Sequence, residues 1–320
     1  YDNNQISFSN VNGRLNKLKI NSKNINYIND KRNLNGVINL NGDITSFSDF
    51  KDVLSKLILI DFKKLKKIKG QIKLAADLNI NFDKNFKILK DQSNFNLITK
   101  NLDLIYFDNQ NLEFKDINLS VDFDQSGKVY SKGQFKHNGK INDFLIRRKN
   151  KESLYDIDLN GIINIKEIFF KNKDFLIEDN LKYLIKIKFL SFEEFQIQAV
   201  LDLKNSEVDM PLFNYLKTKG VASKLTFSLI KNTKNVTVSK FNYLSNNDIF
   251  YIESLDLDNK FNIKNFDIIN IKLGSKNKLS ISKNKNNIVV LGETLDLTKL
   301  LKQRKRNKDF SFDLDISGSL

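Results

Sequence analysis

A chain of 320 residues with a single histidine and no cysteine has few routes to side-chain chemistry. His137 stands in "FKHNGK", where a hairpin tip is expected, so any histidine-based triad or metal site would rest on one turn residue. "GQFKHNGKI" (Gly133 to Ile141) echoes a phosphate-binding loop, but five residues separate its glycines and no Ser or Thr follows Lys140. Carboxylates are plentiful, yet pairs such as Asp156 with Asp158 and Asp313 with Asp315 alternate with apolar residues, the pattern of a wet strand face. Glu193 and Glu194 are adjacent, and adjacent residues on a strand point to opposite sides. These patterns argue against an enzyme and call for no catalytic residue, metal or cofactor.

Three basic clusters could meet phosphate: Lys63, Lys64, Lys66, Lys67 and Lys69; Arg147, Arg148, Lys149 and Lys151; and Lys302, Arg304, Lys305, Arg306 and Lys308. The net charge is +15. Lys, Asn and Ile dominate while Pro, Trp and Cys are scarce, as A/T-rich codons would produce, so a solvated surface is the simpler reading. Nucleic-acid binding would also want exposed aromatics for stacking, whereas the phenylalanines fall on the apolar phase of strands. No nucleic-acid partner is expected on that ground, although a basic binding surface stays as an alternative.

The elements that must position these residues read as strands. "DINLSVDFD" places Ile117, Leu119, Val121 and Phe123 on one face and polar residues on the other. "FQIQAVLDL" does the same with Phe195, Ile197, Leu201 and Leu203, "KLTFSLI" with Leu225, Phe227 and Leu229, and "FSFDLDISG" with Phe310, Phe312 and Leu314. Such alternation predicts half-buried antiparallel strands, since buried parallel strands would be continuously apolar. Asn35-Gly36 and Asn138-Gly139 read as hairpin turns. On the order of sixteen strands at roughly 8–20 residue intervals predict an all-β fold. Helix is expected over 46–57, opened by Ser46 and Asp49, and more weakly over 174–184 and 296–303. No linker rich in Pro, Gly or Ser interrupts the chain, so residues 1–320 read as one continuous β segment of a longer protein, with a sub-boundary near 204–220.

The only proline, Pro211, lies in "VDMPLFNYLKTKG". It cannot donate to a ladder, so it should end the strand begun at 195, with Gly220 restarting the chain in a positive-φ conformation after a crossover at a sheet edge.

"MPLFNYLKTKGVASKLTFSL" resembles a stretch of the AsmA-like superfamily of Gram-negative bacteria, in the branch of large periplasmic proteins like YhdP. The match is carried by Pro211, Tyr215, Lys217 and Gly220, with Tyr and Thr218 where that branch usually has Trp and often Pro. "NIVVLGETLDLTKLL" resembles the family's strand, glycine and Leu-Asp pattern through Gly292, Leu295, Asp296 and Leu300. The resemblance implies a long, twisted, mainly antiparallel sheet curled into an open apolar groove. It further implies a periplasmic protein, anchored in the inner membrane by parts outside this segment, that conducts phospholipids to the outer membrane and meets other envelope proteins. Ile117, Leu119, Val121, Phe123, Phe195, Ile197, Leu201, Leu203, Leu225, Phe227, Leu229, Phe310, Phe312 and Leu314 would line the groove. A closed β-sandwich or adhesin-like module is the main alternative, because periodicity alone demands only one dry face.

Overall fold

The computed structural model describes residues 4–15, 18–44, 65–91, 93–108, 110–164, 176–178, 180–191, 194–258, 263–284 and 287–296. The described residues are almost all strand, in antiparallel ladders, with no α-helix among them. The chain divides into two compact units, Tyr1–Leu159 and Asn160–Leu320.

In the first unit the strands are β1 (Gln5–Leu15), β2 (Leu18–Ile28), β3 (Asn33–Ile44), β4 (Leu65–Phe82), β5 (Ile88–Asp91), β6 (Asn94–Asp108), β7 (Gln110–Phe123), β8 (Val129–His137) and β9 (Lys140–Arg148). Each pairs antiparallel with the next, except that β5 and β6 share one edge of the long β4. The alternation read from the sequence sets the faces. Leu40, Leu74, Leu97 and Val121 stand opposite one another on successive strands and join a core with Leu18, Ile72 and Ile117. Register shifts recur near Gly70, Asn101 and Asp116 on β4, β6 and β7, and such bulges bend a strand locally.

β10 (Asp156–Asn164) runs across the boundary between the units. The second unit contains β11 (Leu176–Glu178), β12 (Asn180–Phe189), β13 (Phe195–Asp202), β14 (Glu207–Met210), a 3₁₀ turn at Pro211–Phe213, β15 (Tyr215–Lys217), β16 (Ser223–Lys231), β17 (Asn235–Ser245), β18 (Asp248–Asp258), β19 (Ile263–Leu273), β20 (Asn277–Asn284) and β21 (Asn287–Thr294). The ladders run β12, β13, β16, β17, β18, β19, β20, β21, while β11, β14 and β15 form a separate small sheet.

Three local expectations are corrected. The helix expected over 174–184 is replaced, where described, by β11 and β12. In "LKYLIKIKF" Leu181 and Tyr183 are buried while Lys182, Lys186 and Lys188 are exposed, so the period is two. Asn35-Gly36 is no hairpin but lies inside β3, opposite a register shift in β2. Gly36 has φ +148°, and a Cβ there would come within 2.5 Å of the Asn24 carbonyl, so glycine serves close backbone approach. The segment after β13 is no edge crossover, because β13 and β16 are direct neighbours and the proline loop is an insertion between them. Asn138-Gly139 does form a turn, with φ of 47° and 75°. The helix expected over 46–57, that expected over 296–303 beyond Asp296, and the strand holding Phe310, Phe312 and Leu314 lie outside the described residues.

Candidate functional site: an apolar sheet face with a polar-locked end

The second unit turns the period-two pattern into rows that cross six to eight strands. One row runs Ile185, Ala199, Phe227, Phe241, Ile252, Ile269, Ile281 and Val290. Its neighbour runs Ile187, Ile197, Leu229, Val238, Leu255 and Phe266. Neither row contains a charged side chain. Most of these residues are partly exposed, Ala199 being buried and Val290 44% exposed. Opposite-face positions carry exposed Lys182, Lys186, Gln198 and Lys224 together with exposed Leu184, Ile230 and Leu244.

At one end of these rows burial deepens, although Phe250, which joins Tyr243 to Ile271 in the row there, stays partly exposed. Leu201, Leu225, Tyr243, Ile271 and Leu279 lie in the next row and are 8% exposed or less. This is the end at which the insertion between β13 and β16 sits. Pro211 opens its 3₁₀ turn, and Asn214 closes the turn in the left-handed region at φ 47°. Tyr215 and Lys217, on one side of β15, are both buried.

Lys217 is 3% exposed, and its ammonium donates to three main-chain carbonyls: Leu203, Lys204 (3.4 Å) and Ser206 (2.6 Å). Three donors meet three acceptors in the turn that leaves β13, so the burial of the charge is compensated by hydrogen bonds. Desolvation still lowers the lysine below its ordinary value, opposed by the negative charge of Asp202. Gly220, at φ +86°, donates its N–H to the Lys204 carbonyl at 2.8 Å and completes the loop.

Tyr215 reaches the main sheet. Its hydroxyl donates to Asp248 Oδ2 at 2.9 Å, leaving its lone pairs for the Tyr243 hydroxyl at 3.1 Å. The two rings meet edge to face at 6.2 Å. Burial raises both phenols above their usual range, the pairing with Tyr243 and the Asp248 carboxylate adding to the rise at Tyr215. The other oxygen of Asp248 accepts from the Gly274 N–H at 2.8 Å, which ties the β17–β18 turn to the β19–β20 turn.

The two motif stretches are brought together here. Asn214 Nδ2 donates to Asp296 Oδ2 at 3.1 Å, the Asp296 N–H donates to Asn277 Oδ1 at 3.0 Å, and Asn277 Nδ2 donates to the Phe213 carbonyl at 2.7 Å. Gly292 lies against β20 at a register shift, where a Cβ would stand 2.7 Å from the Lys278 carbonyl. Tyr215, Lys217, Gly220 and Asp296 thus make hydrogen bonds that tie the insertion to its surroundings, Pro211 opens its turn, and Gly292 packs against β20.

The other expected lining residues separate by burial. Leu119, Val121, Phe123, Phe195, Ile197, Phe227 and Leu229 are partly exposed on their apolar faces. Ile117, Leu201, Leu203 and Leu225 are 6% exposed or less and pack the interior. Sequence reasoning missed Tyr243, Asp248, Asn214 and Asn277. Only Asn214 carried a signal, as an asparagine just after the Pro-initiated turn, where a left-handed residue is tolerated. Among the described residues no group of three or more His, Cys, Asp or Glu side chains is placed to hold a metal, and no helix is long and apolar enough to cross a membrane.

Comparison with known proteins finds no matching family model, no similar curated protein and no similar solved structure.

Proposed function

We propose that the chain is a segment of a lipid-conducting protein whose apolar sheet face holds the acyl chains of phospholipids. The observation that carries this reading is the pair of uncharged rows crossing the second unit, partly exposed along most of their length. Each CH₂ withdrawn from water onto such a face gains about 0.8 kcal/mol, so acyl chains are held without specific ligands. Rows of similar side chains also offer many equivalent positions, which suits movement along the sheet better than one tight pocket. The resemblance to AsmA-like proteins supports a periplasmic setting, attachment to the inner membrane through parts outside this segment, and delivery toward the outer membrane. In that setting the sheet curls into a groove, for which the recurrent bulges of the first unit supply local bending.

The test is native mass spectrometry of the chain purified from bacterial membranes, with co-purifying molecules extracted and identified. Bound phospholipid, or its uptake from added phosphatidylethanolamine–phosphatidylglycerol vesicles, is the expected result. A ligand-free mass with no uptake would instead favour a closed β-sandwich that uses the same residues as a dry core.

A further inference from the structure

The basic cluster Arg147, Arg148, Lys149 and Lys151 is sorted by the fold of the first unit. Arg147 points to the polar face, where its guanidinium meets Asp158 at 2.6 Å. Arg148 points the other way. In register it continues the row Ile38, Ala76, Phe95, Phe123 and Val129, so it is a cation at the end of an apolar row.

Its side chain is held from several sides. The guanidinium carbon lies 5.0 Å from the Tyr155 ring centre and 5.8 Å from that of Phe123. Nε donates to the Gly127 carbonyl at 2.7 Å. Gly127 is buried at φ +80°, and a Cβ there would strike Lys151, so glycine is what brings this carbonyl within reach. Stacking and the Nε bond fix the fork, and among the described residues no hydrogen bond engages its terminal nitrogens. Among the described residues no carboxylate is paired with Arg148. A partly exposed, preorganised guanidinium lacking an acid partner suits bidentate recognition of phosphate.

We infer that Arg148 anchors the phosphate of an amphiphile whose acyl chain lies over Phe123 and Phe95, the partly exposed aromatic residues of that row. This rests on the reading of the apolar face as a lipid surface and names the headgroup chemistry that reading requires.

The experiment uses the 320-residue chain and two fluorescent single-chain probes of equal acyl length, a lysophosphatidic acid and an uncharged monoacylglycerol. The wild-type chain is expected to bind both, the phosphate probe more tightly. Arg148→Gln should weaken the phosphate probe by about 10- to 100-fold and leave the monoacylglycerol unchanged, the loss expected for charge-assisted hydrogen bonds. Arg148→Lys, which keeps the charge without the fork, should fall between them and carries the test if the Gln variant does not fold by circular dichroism. Equal effects on both probes, or none, overturn the anchor while leaving the lipid surface standing. Binding of neither probe by the wild type removes the lipid surface and the anchor together. Displacement of the phosphate probe by low-millimolar inorganic phosphate, if it disappears in Arg148→Gln, assigns a free-phosphate site and overturns the headgroup.

Discussion

Asn214 and Asp296 lie 82 positions apart and meet at 3.1 Å, joining the proline turn of the second unit to the chain that leaves its last described strand. With Asn277 bonded to both stretches, the contact fastens a loop insertion onto the end of an eight-stranded ladder. Because Asn214 is in the left-handed region, conformation and contact are separable by substitution. Asn214→Gly should cost about 1 kcal/mol, for the lost amide, whereas Asn214→Ala should cost about 1–2 kcal/mol more because it also resists positive φ. Urea unfolding curves of the two variants would show this order, and equal losses would exclude a conformational role.

Lys217 anchors the same insertion from its other end. Lys217→Met keeps most of the volume but leaves three carbonyls with no ammonium to bond. The expected loss is about 2–4 kcal/mol, read from the urea midpoint. A neutral result would mean that water replaces the ammonium without cost.

The Tyr215–Tyr243 pair predicts a stability that depends on alkaline pH. Both phenols are raised above 10.0 in the folded state. The folded chain thus binds more protons than the unfolded chain once pH passes about 10, and these groups make stability fall there. Lys217, lowered from 10.5, acts in the opposite direction over an adjoining window, so the diagnostic quantity is the difference between variants. Tyr215→Phe should lose less stability than the wild type between pH 9.5 and 11. Parallel pH profiles for the two proteins would refute the coupling.

Ile197 and Gln198 are neighbours on β13 that point to opposite faces, the first partly exposed on the apolar side and the second exposed on the polar side. On the proposed lipid-binding reading, Ile197→Asp should reduce uptake of a fluorescent fatty acid by roughly tenfold or more, since a charge would replace apolar surface offered to the acyl chain. Gln198→Asp should leave uptake within about twofold. Equal losses would show that the apolar face is not where the ligand lies.

Gly36 and Gly139 both have positive φ, but only Gly36 faces backbone at close range. Gly139→Ala should cost about 1 kcal/mol from backbone strain alone. Gly36→Ala should cost more than that, because the new methyl also meets the Asn24 carbonyl, and thermal melts would rank the two.

The strand content was legible because it depends on a local rule. In "DINLSVDFD" and "FQIQAVLDL" the side-chain period of two places each residue on a face without knowledge of the partner strand. The turn at Asn138-Gly139 was legible for the same reason. Asn35-Gly36 misled because the dipeptide reports a tolerance for positive φ, which a bulged ladder can use as well as a turn. The stretch 174–184 misled because a short apolar run satisfies helical spacing by chance, while paired strands settle its period.

For the site, sequence alone determined which residues are apolar in phase and singled out Pro211, Tyr215, Lys217, Gly220, Gly292 and Asp296 as a pattern. Only the tertiary structure decided what they do. That Leu225 is buried and Phe227 partly exposed is not given by strand phase, which assigns both to the same face. That Lys217 meets three carbonyls, that Tyr215 meets Tyr243, and that Arg148 rather than Arg147 faces the apolar row all depend on pairings between distant strands. Strand phase is a property of consecutive residues, but burial and partnership are properties of what the rest of the chain places opposite them.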